Sequence, residues 1–270
     1  MVNMTTFARE FITVSDTQPR MRIMQWNILA DSLAHSFPQV NPSYLTWEYR
    51  VERMLLEIQK FSPDIIGLQE NDHYEDYFEP ELSKLGYTGM FEKKTGWHKD
   101  GLSISWKTDK FTKVSQDLCK FPGNQFALIV QLDSELGRIC VITTHLKARK
   151  EYDSIRCEQV SSLLNYIQQN LQELPIIICG DFNSLPDTGA YNAMLNNTCG
   201  LISGYRKALG EVEPVFTTLK IRNKMEIKTE DYIWLRGFTP ISVLSLPRQE
   251  EIVYKSNINT LQLKVPLLKE

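Results

Sequence analysis

Ile176-Ile177-Ile178-Cys179-Gly180-Asp181-Phe182-Asn183 decides how this chain is read. Its apolar run, three Ile followed by Cys, is the pattern of a short strand buried on both faces. Gly180 permits a tight exit, and Pro186 closes the turn that follows. Asp181 and Asn183 therefore stand two residues apart at the end of a buried strand, where both can face one ligand. A carboxylate accepts, and an amide both donates and accepts. That combination suits a phosphate–metal site, with the carboxylate serving a metal or a water and the amide a phosphoryl oxygen. The ordinary alternative is a polar turn, because Asp and Asn are common turn formers.

Outward from this strand, the same design recurs. Arg22–Asn27 alternates as a strand and ends at Asn27. Ile65–Glu70 is a second buried strand, ending at Glu70, and Ile139–Thr144 ends at His145. Ligands in α/β folds sit at such strand ends. Each residue has a structural alternative: a cap for Asn27, a solvated loop acid for Glu70, a core histidine for His145. Asn41-Pro42 starts a helix that carries Trp47, Val51, Leu55 and Ile58 as one stripe and ends at Ser62-Pro63-Asp64. Tyr74–Leu85 reads as a helix that Pro80 kinks or restarts, and Val160–Leu171 as another. Strands are expected near 87–91, 102–106, 111–118, 126–132, 216–219, 231–235 and 241–246, and Leu261–Val265 alternates as a closing strand. The mixture of crossovers and hairpins predicts a single α/β domain of two mixed sheets packed face to face under outer helices, over residues 21–270, with residues 1–20 as a flexible arm.

Composition bounds the function. At 270 residues and a net charge of −3, the chain is not a basic nucleic-acid binder as a whole. It lacks an apolar run long enough to span a membrane and a secretory-type start. Five irregularly spaced cysteines give no CxxC pair, so a reducing, cytoplasmic setting is expected, without a disulfide framework or zinc site. Basic clusters flank the strand ends: Lys147, Arg149, Lys150 and Arg156 after His145; Lys93, Lys94, His98 and Lys99 in the loop before Leu102; Lys220, Arg222 and Lys224 before Asp231. Solvated faces are the plain reading. If they converge, they clamp a compact phosphate-rich ligand, and Trp97 can stack a base.

The strings Met24-Gln25-Trp26-Asn27-Ile28-Leu29-Ala30, Leu68-Gln69-Glu70, Asp72-His73-Tyr74, Thr144-His145-Leu146-Lys147-Ala148-Arg149, Gly180-Asp181-Phe182-Asn183 and Asp231-Tyr232-Ile233-Trp234 resemble the endonuclease/exonuclease/phosphatase superfamily. The likeness is to its deadenylase branch, and there to the nocturnin-like members. It runs in order from about residue 21 to 246. It implies a four-layered α/β sandwich with a Mg²⁺ site (Mn²⁺ as the alternative ion) at one end of the two sheets. It implies Glu70 as metal ligand with Asn27 beside it, His145 on the scissile phosphate, and Asp181 with Asn183 positioning the attacking water. Asp100 matches a substrate-loop acid, and Asp231 the carboxylate that orients a catalytic imidazole. The implied ligands are NADP(H), losing its 2′-phosphate, or an RNA 3′ end such as poly(A).

The chain departs from the pattern at one place. The family carries a Ser-Asp-His triplet before its last strand, and the last His here is His145. Lining up the closing strand puts Asn257 and Ile258 where Asp and His belong. Ile258 exchanges no proton, and general acid–base catalysis is worth roughly 10²–10⁴-fold. Asp231 would lose its imidazole and sit beside an apolar side chain. His73, three residues after Glu70, and His98, in the basic loop, are the candidate substitute imidazoles. Two readings follow: a slowed Mg²⁺-dependent phosphohydrolase, or an inactive pseudoenzyme that binds nucleotide, RNA or a protein partner.

Overall fold

The computed structural model describes residues 9–15, 20–38, 40–221, 225–246, 263–264 and 267–269. Ile176–Asp181 is a strand buried along its whole length, as its apolar run requires. It lies inside a six-stranded sheet ordered Ile202–Ser203 (β10), Asp231–Arg236 (β13), Ile176–Asp181 (β9), Gly137–His145 (β8), Phe126–Ser134 (β7) and Thr112–Lys120 (β6). β8 and β9 are parallel, joined by the helix Asp153–Asn170 (α5). The second sheet is ordered Phe11–Thr13 (β1), Ser242–Leu244 (β14), Leu267–Lys269 (β16), Ile23–Asn27 (β2), Ile65–Asn71 (β3), Gly101–Lys107 (β5) and Tyr87–Lys93 (β4). Its parallel pair is β2 and β3, joined through Asp31–Ala34 (α1), Pro42–Leu45 (α2) and Trp47–Phe61 (α3). A small third sheet holds Met225–Lys228 (β12), Thr218–Ile221 (β11) and Leu263–Lys264 (β15).

The two large sheets pack face to face. Ile65, Leu102, Ile104 and Trp106 of one meet Leu128, Val130, Val141, Ile177 and Ile233 of the other. On the outer face of the seven-stranded sheet, Val51, Met54 and Ile58 of α3 pack on Met24, Ile66 and Leu68, together with Phe78 and with Leu82 of Glu79–Lys84 (α4). On the other outer face, Val160, Leu163 and Ile167 of α5 and Met194 of Gly189–Leu195 (α6) pack on Ile142, Ile178 and Trp234. Gly204–Ala208 (α7) adds Tyr205 to the edge of the inter-sheet layer. The result is the four-layered sandwich with helices outside. Gly67 lets the sheets approach: a Cβ there would lie 2.8 Å from Cys179 Cβ.

Four local expectations are corrected. The helix expected from residue 42 is broken at Thr46, which is extended and accepts from Tyr49 N to start α3, while Asn41 caps the separate turn α2. Its buried stripe is Val51, Met54, Ile58 and Phe61, and Leu55 is half-buried. Within the expected arm, Phe11–Thr13 pairs with Leu244–Ser242 as an edge strand. The strand that joins β2 is Leu267–Lys269, whereas Leu263–Lys264 pairs with β11 instead. Asn257 and Ile258 lie outside the described residues.

Candidate metal and phosphate site

Strand periodicity builds the site. Alternate residues face the inter-sheet layer: Ile23, Gln25 and Asn27 on β2; Ile139, Val141, Thr143 and His145 on β8; Ile177, Cys179 and Asp181 on β9; Leu235, Ile233 and Asp231 on β13. Each series turns from apolar to polar at the same rim. The parallel pairs β2–β3 and β8–β9 end there, and antiparallel β13 begins there, with His145 and Asp231 both in register with Asp181.

Glu70 has the wrong parity for this layer. Leu68 faces the helices, so simple alternation would send Glu70 outward with it. A register shift between Gln69 and Asn71 bulges β3, and Glu70 takes a positive φ of 56°. Such a conformation costs on the order of 1 kcal/mol in a non-glycine residue and is held only by its surroundings. It turns the carboxylate into the rim. There Asn27 Nδ2 donates to both Glu70 Oε1 and Asp181 Oδ2 at 2.8 Å, and Ala30 N donates to Glu70 Oε2 at 3.2 Å. His145 Nε2 lies 4.0 Å from Glu70 Oε1 and 3.9 Å from Asp181 Oδ2.

Ligand atoms of Glu70, Asp181 and His145 all lie within 4.8 Å of one another. Two carboxylates at that separation repel by roughly 3–4 kcal/mol at an effective dielectric of about 20. A cation relieves that repulsion, and the two carboxylates are oxygen donors of the kind a hard divalent ion takes, with the imidazole beside them. The residues therefore fit a divalent metal. Asn27 stands beside the two acids. Its amide N–H groups face the carboxylates, and its Oδ1 accepts from Leu29 N at 3.0 Å. It clamps the two acids together, and the third member of the donor cluster is His145.

The neighbouring polar groups are each held. Asn183, at φ 47°, donates from N to Asp181 Oδ1 at 3.0 Å and from Nδ2 to Leu146 O at 3.1 Å. Asp231 is engaged by polar groups, and Ile258, the apolar neighbour expected for it, lies outside the described residues. Gln25 Nε2 donates to its Oδ1 at 3.1 Å, and the Thr217 and Thr218 hydroxyls donate to its Oδ2 at 2.8 Å. Gln69 Nε2 bonds Thr143 Oγ1 across the same gap at 2.9 Å. Gln25, Gln69, Thr217 and Thr218 were missed from sequence, although a Gln at a core-facing strand position is itself a signal. Arg50 was missed as well. It donates to Ile28 O, Leu29 O and Asp31 Oδ1, holding the turn that presents Ala30 N to Glu70. Burial pulls the Arg50 pKa down, and the hydrogen bond to Asp31 opposes that.

The expected substrate-binding residues divide. Asp100 is buried just before β5, whose Gly101 pairs with Asn71 beside Glu70. It is engaged by Lys94 Nζ, with His98 Nδ1 at 3.8 Å. Trp97, between them in the chain, is fully exposed. Lys147 is half-buried with its Nζ 5.0 Å from the Tyr152 ring, and Arg149 is exposed. Arg156 is a correction: it is 1% exposed, and its guanidinium donates to Lys147 O, Arg149 O and Lys150 O. Helical phase turns it under the loop rather than onto the surface. His73 is stacked on Trp47 and bonded to Asp76. Lys220 pairs with Glu230, and Arg222 and Lys224 lie outside the described residues.

Known proteins resemble this chain in sequence and fold. Human nocturnin is 36% identical over 277 residues, covering 91% of this chain and 64% of nocturnin. Xenopus laevis nocturnin is 37% identical over 266 residues, covering 88% and 68%. The chain thus spans slightly under two thirds of the human relative. Among solved structures, the human nocturnin catalytic domain with bound sulfate anion superposes with a TM-score of 0.81 at 31% identity, covering 97% of this chain and 95% of that one. ANGEL2, described as a 2′,3′-cyclic phosphatase, superposes at 0.85 with 23% identity over 98% of each chain, which shows the common fold. Residues 24–252 match the Endonuclease/Exonuclease/phosphatase family, and the chain belongs to that family.

Proposed function

We propose that this chain is a Mg²⁺-dependent phosphohydrolase acting on a phosphorylated nucleotide, with NADP(H) losing its 2′-phosphate or an RNA 3′ end losing its terminal nucleotides as substrate. The observation that carries the reading is the rim cluster: Glu70 from one sheet, Asp181 and His145 from the other, clamped by Asn27. The sulfate bound in the nocturnin catalytic domain has the shape and charge type of a phosphate and supports the same ligand class. Glu70 and Asp181 would hold the ion, which when bound polarises a phosphoryl oxygen as a Lewis acid. The His145 imidazole and Asn183 amide offer N–H donors to phosphoryl oxygens as charge develops there. Asp181 accepts a hydrogen bond from the attacking water and orients it. Lys147 and Arg149 supply positive charge beside this centre, and Trp97 an exposed ring for a base. Five free cysteines, four of them buried, suit a reducing cytoplasmic setting. Among the described residues, no helix is long and apolar enough to cross a membrane.

Asn257 and Ile258 favour a second reading, a pseudoenzyme that holds a nucleotide, RNA or a protein partner. Asp231 is satisfied by an amide and two hydroxyls, so an absent imidazole leaves no orphaned carboxylate and the rest of the site persists. Turnover separates the two. Phosphate release from NADP⁺ and shortening of an oligo(A), each with Mg²⁺ and a Glu70→Ala control, support the enzyme if the control abolishes them. Ligand binding without turnover above the control supports the pseudoenzyme.

A further inference from the structure

The loop after His145 is wrapped around one buried charge. Arg156 Nη1 donates to Lys147 O at 2.9 Å and to Arg149 O at 2.6 Å, and Nη2 donates to Lys150 O at 3.4 Å and Asp153 Oδ1 at 3.3 Å. One turn along α5, the fully buried Gln159 accepts from Lys147 N at 3.0 Å and donates to Pro122 O at 3.2 Å and Gln125 Oε1 at 3.2 Å. Two side chains of one helix therefore tie together the 147–150 loop and the 121–125 turn. A buried guanidinium costs several kcal/mol unless its donors are met. Here three backbone carbonyls and the Asp153 carboxylate meet the Nη donors, while Nε is buried without a partner, so the guanidinium is anchored to the loop through its Nη groups.

Independently, Arg149 sits at φ 79°, in the region that favours glycine. Such strain persists only where the surroundings over-determine it. Its carbonyl is the one that Arg156 holds at 2.6 Å. The loop is also continuous with the catalytic rim: Leu146 N donates to Asp181 O at 3.0 Å, and Leu146 O accepts from Asn183 Nδ2.

We propose that Arg156, assisted by Gln159, is a positioning residue that sets affinity for the phosphate-bearing ligand without touching it. By turning the carbonyls of Lys147, Arg149 and Lys150 inward, it fixes the backbone from which Lys147 and Arg149 reach the ligand. This rests on the phosphohydrolase reading. Lysine at 156 keeps the charge but not the planar fork that spans three carbonyls.

Arg156→Lys and Gln159→Met would be compared with the wild type by calorimetric titration with NADP⁺, oligo(A) and inorganic phosphate in Mg²⁺, by Mg²⁺-induced thermal shift, and by brief tryptic digestion. The expected result for Arg156→Lys is affinity at least ~10-fold weaker, an unchanged Mg²⁺ shift, and faster cleavage at Lys147, Arg149 and Lys150. Gln159→Met should move affinity and cleavage the same way by less, and it decides the matter if the lysine variant does not fold. Unchanged affinity in the folded variants overturns the proposal and leaves the phosphohydrolase reading standing. Loss of the Mg²⁺ shift also overturns it, because the residue would then support the whole centre. A wild type that binds none of the three probes overturns the phosphohydrolase reading, and the positioning role with it.

Discussion

Glu70→Gln tests the electrostatics of the rim most directly. In the metal-free protein the change removes one of two carboxylates whose ligand atoms lie within 4.8 Å. The relief is roughly 3–4 kcal/mol at an effective dielectric of about 20. Against it, the new amide N–H faces either Asn27 Nδ2 or Ala30 N, which now meet an acceptor. A mismatched buried donor costs about 1–3 kcal/mol. The metal-free variant should therefore match or exceed the wild type by about 1 kcal/mol, roughly 2–4 °C in melting temperature for a chain of this size. Mg²⁺ should reverse the order. At a hundred times its Kd, a ligand stabilises by about 2.7 kcal/mol, roughly 5–10 °C here. Losing one buried charge partner costs about 3–5 kcal/mol of binding, so a Kd at least ~10²-fold weaker is expected. At the same Mg²⁺ concentration, less than about 0.5 kcal/mol of stabilisation remains. Differential scanning fluorimetry across a Mg²⁺ series, with and without chelator, reads both effects. An equal Mg²⁺ shift in variant and wild type would remove Glu70 from the metal site. A metal-free variant melting well below the wild type would refute the repulsion.

Restoring the family pair, Asn257→Asp with Ile258→His, should raise hydrolysis by at least ~10²-fold; steady-state rates on NADP⁺ and oligo(A) check this, and no gain would refute the placement of the missing imidazole. Gly67→Ala pushes a Cβ to 2.8 Å from Cys179 Cβ and should cost about 1–3 kcal/mol in a urea titration; an unchanged midpoint would mean that the sheets can part there freely. The Tyr74, Tyr87 and Tyr191 phenols are pushed up to about 12, chiefly by burial. In the unfolded chain they ionise near pH 10, so between about pH 10 and 12 the unfolded state releases protons that the folded state keeps, and stability falls as pH rises. The tyrosinate absorbance of these three should accordingly appear together with unfolding, and titration of the full tyrosine content without loss of structure would contradict their burial.

Much of this site was open to reading because it follows period two. Ile177, Cys179 and Asp181 alternate onto one face, as do Val141, Thr143 and His145, so strand ends and catalytic candidates coincide. Glu70 was found at its strand end, but not the bulge that aims it, because a bulge is a property of pairing with β5 and leaves no local mark. Thr46 broke a helix that looked continuous; its hydroxyl cap competes with helix continuation, and apolar spacing cannot register that. Arg156 looked like one more surface cation. Its burial depends on which face of α5 meets the loop, and the carbonyls it binds are invisible in a sequence. The β12 strand was passed over because charged residues punctuate it, as an edge strand tolerates.

The donors of the rim come from opposite sides of a joint, Glu70 on β3 and Asp181 on β9, in different sheets. The site comes into being only when the sheets have docked, and it is lost when they part. Whatever binds there is absent from a barrier in which the sheets have separated. Its effect should therefore fall on the lifetime of the native state: a ligand worth about 2.7 kcal/mol would slow unfolding by about a hundredfold and leave the rate of refolding untouched.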